Sequence, residues 1–243
     1  MTNGIVDRRT FIGSLVAAVS TSAVAVSTTR ADSHGGGCHA ITAEMQQAMT
    51  PDDAIDSLKE GNARFVAGEM LNCDLMAQVK ATADGQAPIA AIVGCIDSRV
   101  PPEMVFDQHI GDIFSARVAG NFVNTDIIGS LEFATAVAGS KAIVILAHSS
   151  CGAVKGAVDE VKLGNLTAML ENIEPAIQAT PLTGEKSSSN KKFVEAVSEK
   201  NAQLTVKLLL ERSPVIKGLV DDGKVKVVAA KHDVATGKVT FLS

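Results

Sequence analysis

The 243-residue chain predicts an α/β fold: a mainly parallel β-sheet flanked by helices, with a C-terminal β-hairpin and an N-terminal helical arm. Three observations carry that expectation. Short apolar runs alternate with helical segments from Pro88 onward, the pattern of a parallel sheet with right-handed crossovers. With 8 Phe but no Trp or Tyr, the core must rest mainly on Ala, Val, Ile and Leu, which suit strands covered on both faces. Two closing runs, "KVKVVAAKHD" and "GKVTFL", flank the turn "VATG" as a hairpin would.

Residues 1–31 read as a signal peptide outside the fold. "DRRTFIG" is a twin-arginine core, "SLVAAVSTSAVAV" is mildly apolar, and "TTRA" offers a small-residue cleavage site ending at Ala31. A spanning helix takes about 20 mostly apolar residues, so no stable membrane anchor is expected after processing. The expected compartment is a bacterial periplasm. Removing this segment takes away Arg8, Arg9, Arg30 and Asp7, leaving 19 basic and 26 acidic side chains, formally −7. That balance, with no Lys or Arg cluster, argues against nucleic acid as a partner.

Residues 32–49 read as a flexible linker with glycines, running toward a helix, and residues 50–243 as the folded domain. Thr50 is an N-cap, Pro51 the first helical residue, and Asp52 and Asp53 favour the positive helix end. Ala54, Ile55, Leu58 and Phe65 then share one helix face, with a stop near Gly68. Strands are expected at Ile89–Gly94, Ile113–Val118 and Ala142–Ala147, with a helix from Thr125 to Gly139 between the last two. Lys186–Lys192 is a solvated turn or helix entry, Lys192–Arg212 an amphipathic helix, and a short helix follows Pro214.

In an open parallel sheet, ligands bind beyond the carboxyl ends of the strands. Cys95 directly follows one strand and His148 another; if those strands are neighbours, both side chains reach one edge. Cys151, three residues after His148, turns toward the same point. Two thiolates and an imidazole suit Zn²⁺, and three protein ligands leave a fourth, tetrahedral position open, as catalytic sites do. Each residue alone is unremarkable: a buried cysteine is usually a small hydrophobe, and short H-x-x-C spacings arise by chance. Asp97 and Arg99, on the loop after Cys95, can pair so that the guanidinium holds the carboxylate off the metal. Cys38 and Cys73 are left over; whether they pair is open. His34, His39, His109 and His232 have no comparable context and read as surface or structural.

The segments "GCIDSRVPPEMVFD", "GDIFSARVAGN", "GSLEFA" and "AHSSCGAVKGA" resemble the β-class carbonic anhydrases, with the likeness running from about Ala54, through "LKEGNARFVAG", to "VATGKVTFL". The resemblance implies one Zn²⁺ per subunit held by Cys95, His148 and Cys151, with Asp97 and Arg99 as the catalytic pair orienting the attacking water. It implies a pocket for carbon dioxide and bicarbonate that includes Phe114, Ala119 and Phe133, a substrate hydrogen bond from Gln86, and an amide at Gly152. It also implies a homodimer or homotetramer, and makes 50–243 the catalytic domain. With no Trp or Tyr, the regulatory bicarbonate pocket of some members cannot be carried over, so an open metal site is expected near neutral pH. Two alternatives stay open: a zinc hydrolase acting on carbonyl sulfide or carbon disulfide, and a non-enzymatic zinc-binding module.

Overall fold

Thr42 accepts the Met45 amide and starts helix α1 (Ala43–Ala48) in a computed structural model that describes residues 37–181 and 183–242. The expected signal segment, 1–31, lies outside the described residues. The expected linker ends earlier than residue 49. Gln46 of α1 is buried, and its Nε2 donates to the carbonyls of Pro88 at 2.7 Å and Ala138 at 2.9 Å, while Ile41 and Met49 pack on the core. A buried amide with two good acceptors and two apolar neighbours ties this arm down.

Thr50 and Asp53 form a reciprocal capping box that opens α2 (Pro51–Ala67), and Gly68 closes it in the left-handed conformation at φ 73°. Asp74 caps α3 (Leu75–Ala81). Next come β1 (Ala90–Gly94), the short α4 (Pro102–Val105) and β2 (Ile113–Arg117). Asn124, one residue before the expected start, accepts the Ile127 amide and caps α5 (Thr125–Glu132), which runs on as a π-helical turn through Val137. Then follow β3 (Ala142–His148), α6 (Gly152–Val158), α7 (Gly164–Leu170), α8 (Glu174–Ala179), α9 (Lys191–Arg212) and α10 (Pro214–Asp221). The hairpin strands β4 (Lys226–His232) and β5 (Val239–Leu242) complete the sheet.

The sheet order is β2-β1-β3-β4-β5, parallel except for the antiparallel β5. β1 and β3 are buried along their whole length, as central strands covered on both faces must be. Alternation sends Ile92 and Val144 to one face, against Ala54, Ile55 and Leu58 of α2. Val93 and Ile145 go to the other, against Ile128, Leu131, Leu209 and Ile216. Each such side chain contributes about 1.5–3 kcal/mol when fully buried. A third cluster, Val154, Ile173, Phe193 and Val197, packs around Cys95 and Cys151. Phe65 is only half-buried, at the rim of its helix face.

The "EGNAR" turn of α2 is a contact point. A Cβ on Gly61 would lie 1.7 Å from the Phe106 carbonyl oxygen, so only glycine lets α2 approach that backbone. Asn62 donates to the carbonyls of Val105 and Gly237, both at 2.9 Å, and accepts from the Val239 amide at 2.8 Å, stitching α2 to the hairpin. Cys38 and Cys73 are joined in a disulfide. No helix among the described residues is long and apolar enough to cross a membrane.

Candidate metal centre

β1 and β3 lie side by side with Gly94 opposite Leu146, so Cys95 and His148 leave the same end of the sheet. Ser150 turns the chain there at φ 54°, its amide held by Glu195 Oε1 at 2.8 Å, and Cys151 begins α6. The turn brings the two sulfurs to 4.0 Å. One donor atom from each of Cys95, His148 and Cys151 lies within 4.8 Å of the others, and all three residues are buried.

The donor set fits a metal ion. His148 Nδ1 meets the Ser149 carbonyl at 2.9 Å, which places the ring proton on Nδ1 and the lone pair on Nε2. That Nε2 is buried and has no hydrogen-bond partner. An orphaned acceptor costs about 1–3 kcal/mol, and coordination removes the cost. In the metal-free pair the hydrogen bond from Cys151 holds the Cys95 thiol down to about 4 against the effect of burial. The same bond, with burial, pushes the Cys151 thiol up. The Gly120 amide donates to Cys95 Sγ at 3.4 Å, and α6 directs the amides of Val154 and Ala153 at Cys151. Gly120 sits at φ +87°, and a Cβ there would meet Ile173 Cδ1 at 2.7 Å.

Arg99 grips Asp97 with Nε on Oδ1 at 2.9 Å and Nη2 on Oδ2 at 2.8 Å. This fork holds the Asp97 carboxyl well below the usual carboxylate range. Asp97 Oδ2 stands 3.9 Å from His148 Nε2, beside the ligand atoms. Arg117, absent from the sequence reading, props the loop by donating to the carbonyls of Cys95 at 2.9 Å and Asp97 at 2.6 Å. From α9, Ser198 donates to the His148 carbonyl at 3.0 Å and Asn201 to the Gly120 carbonyl at 2.8 Å. Sequence periodicity shows α9 only as a helix and does not reveal what its buried polar residues hold.

His232, expected to be surface or structural, lies inside the fold next to His148. It ends β4 directly opposite His148, is 2% exposed, and neither ring nitrogen has a hydrogen-bond partner. The available signal was its position: His232 ends "VVAAKH" just as His148 ends "AIVILAH".

Of the other expected site residues, Ala119 and Gly152 adjoin the cluster, whereas Phe114, Phe133 and Gln86 are not brought to it within one chain. Phe114 pairs with Ala91, four strand residues or about 13 Å short of Cys95. Its ring meets that of Phe133 edge to face, with centroids 6.2 Å apart, and Phe133 is 53% exposed. Both line a cleft of about 680 Å³ between β2 and α5, to which none of Cys95, His148 and Cys151 contributes. Gln86 is exposed on the loop entering β1, at the opposite strand end from Cys95, a five-residue strand or about 16 Å away. Ala119 is half-buried next to Gly120, and Gly152 is the exposed first residue of α6.

The family model described as "Carbonic anhydrase" matches residues 90–239. Carbonic anhydrase 2 of Mycobacterium tuberculosis is 34% identical over 197 residues, covering 79% of this chain and 92% of that protein. The β-carbonic anhydrase CafA of Aspergillus fumigatus superposes with a TM-score of 0.60 at 25% identity, over 79% of this chain and 90% of that one. The chain belongs to the β-class carbonic anhydrases. A carbonic anhydrase of Mycolicibacterium smegmatis is 35% identical over 199 residues, covering 79% of this chain and 94% of its own. In this β-class carbonic anhydrase the matched range contains Cys95, Asp97, Arg99, His148 and Cys151, whereas Gln86 precedes it.

Proposed function

We propose that the protein reversibly hydrates carbon dioxide to bicarbonate and a proton, with Zn²⁺ held by Cys95, His148 and Cys151. The carrying observation is the buried Cys–His–Cys cluster with an unpaired His148 Nε2, beside an Asp97 that is already engaged by Arg99. Zinc, when bound, supplies Lewis acidity that makes water a nucleophile near neutral pH.

The chain's own residues supply the rest. Asp97, kept ionised by Arg99, offers Oδ2 as an acceptor that orients a water entering beside His148 Nε2. The carbonyl of Ser149 keeps the His148 tautomer, and amides from Gly120, Ala153 and Val154 spread the thiolate charge. Gln86, Phe114 and Phe133 stand too far from their own chain's cluster to touch its substrate. In this reading they act on the site of a second copy, in a homodimer or homotetramer. The tetrameric β-carbonic anhydrases of Sordaria macrospora, one matched at 25% identity and TM-score 0.60, support that assembly.

Export to the periplasm is part of the proposal, supported by Arg8 and Arg9 in "DRRTFIG" and by a disulfide suited to an oxidising compartment. Stopped-flow carbon dioxide hydration on zinc-quantified protein tests the activity. Carbonyl sulfide turnover faster than hydration would reassign the substrate, and neither activity in zinc-replete protein would leave a metal-binding module. Replacing Arg8 and Arg9 with Lys should retain the chain in the cytoplasm; unchanged periplasmic recovery overturns the export route.

A further inference from the structure

The Cys38–Cys73 disulfide lies apart from the metal centre and is asymmetric in its surroundings. Cys38 is exposed, whereas Cys73 is half-buried with His109 Nε2 3.3 Å from its Sγ. On the other side of the ring, His109 Nδ1 is 3.3 Å from Asp112 Oδ2, with the two side chains 9% and 6% exposed. The His109 amide also donates to that carboxylate oxygen at 2.9 Å. A disulfide sulfur carries no hydrogen, and a carboxylate is an acceptor, so both ring nitrogens face acceptors. Burial raises the Asp112 pKa, while the His109 imidazole and the amides of His109 and Ile41 oppose that rise.

A bridge that only braced the fold would need no imidazole on one sulfur. The bridge is not the arm's only attachment: the segment after Cys38 is also held by Gln46 and by the packing of Ile41 and Met49. The arrangement instead matches the requirements of thiol–disulfide exchange, which are an accessible sulfur to attack and a stabilised thiolate to leave.

We propose that Cys38 is an S-thiolation site for a small monothiol, with Cys73 as the leaving thiolate, His109 as the group that receives it and Asp112 as the residue that positions His109. The incoming thiol loses its proton to solvent, and its thiolate attacks Cys38 Sγ in line with the bridge. The Cys38–Cys73 bond breaks as the Cys38–thiol bond forms. The electron pair goes to Cys73, whose thiolate takes a hydrogen bond or proton from His109 Nε2. The incoming sulfur is oxidised to the disulfide level and Cys73 is reduced, so the exchange balances. It reverses when Cys73 attacks the mixed disulfide and expels the thiol.

The zinc-loaded full chain is incubated with reduced glutathione as the probe, quenched by alkylation and mapped by peptide mass. The expected result is glutathione on Cys38 and alkylation on Cys73, with His109→Gln slowing formation by about tenfold or more. An adduct on Cys73, no adduct at all, or a folded His109→Gln protein that reacts at the parental rate overturns the proposal. A second measurement covers the case in which His109→Gln fails to fold. In Cys38→Ser, Cys73 is free beside an intact His109, and iodoacetamide should alkylate it at pH 7 about tenfold faster than in the same chain unfolded in urea. Equal rates overturn the proposal. Carbon dioxide hydration by Cys38→Ser should equal the parent's and serves as the check on folding.

Discussion

His148 and His232 end adjacent parallel strands in register, both buried, and only His148 has a hydrogen-bond partner. Burial lowers the His232 pKa from 6.5. The unfolded chain therefore binds this proton at higher pH than the folded one. The stabilising contribution is full above about 6.5 and is lost as pH falls toward the lower folded value. His232→Gln should flatten the fall of stability below pH 6.5, by at most about 1.4 kcal/mol per pH unit. Urea midpoints of zinc-loaded parent and variant across this range check it; parallel curves would contradict it.

Arg99 holds both oxygens of Asp97, which a single ammonium cannot reproduce. Arg99→Ala and Arg99→Lys should both lower kcat/KM for hydration, by about 10–100-fold, with zinc content retained. Freed from Arg99, Asp97 returns toward an ordinary carboxyl pKa and stays ionised at neutral pH. The loss is therefore one of orientation, and the ratio of parent to variant should be constant from pH 7 to 9. Full activity in Arg99→Lys would show that charge alone suffices.

The Cys95–Cys151 pair shares a proton in the absence of metal, since one thiol is lowered and the other raised by the same hydrogen bond. Zinc needs both thiolates. Zinc added to chelator-stripped protein near pH 7 should release about one proton per ion, read with an indicator dye in weak buffer. Cys151→Ser should lose stoichiometric zinc by elemental analysis.

Gly61 touches the Phe106 backbone too closely for any side chain. Gly61→Ala should destabilise by about 3 kcal/mol, the upper end of overpacking costs, because backbone cannot rotate away as a side chain can. Chemical denaturation measures it, and a change below about 1 kcal/mol would mean that α2 shifts freely.

What the sequence by itself determined is local. The helix start at Thr50, Pro51 and Asp53, the apolar runs of β1 and β3, and the placement of Cys95 and His148 at strand ends follow from backbone preferences and side-chain alternation within a few residues. Glycine at position 61 was visible only as part of a motif, while the reason for it, a carbonyl 45 residues later in the chain, was not. The tertiary structure alone decided which strands are neighbours. That order sets His232 against His148, brings Arg117 to the carbonyls of Cys95 and Asp97, and leaves Gln86 and Phe114 far from their own chain's cluster. It also joined Cys38 to Cys73 and put His109 on the bridge. Periodicity tells which way a side chain points, but its partner is chosen by packing between segments distant in the chain, where no local rule applies.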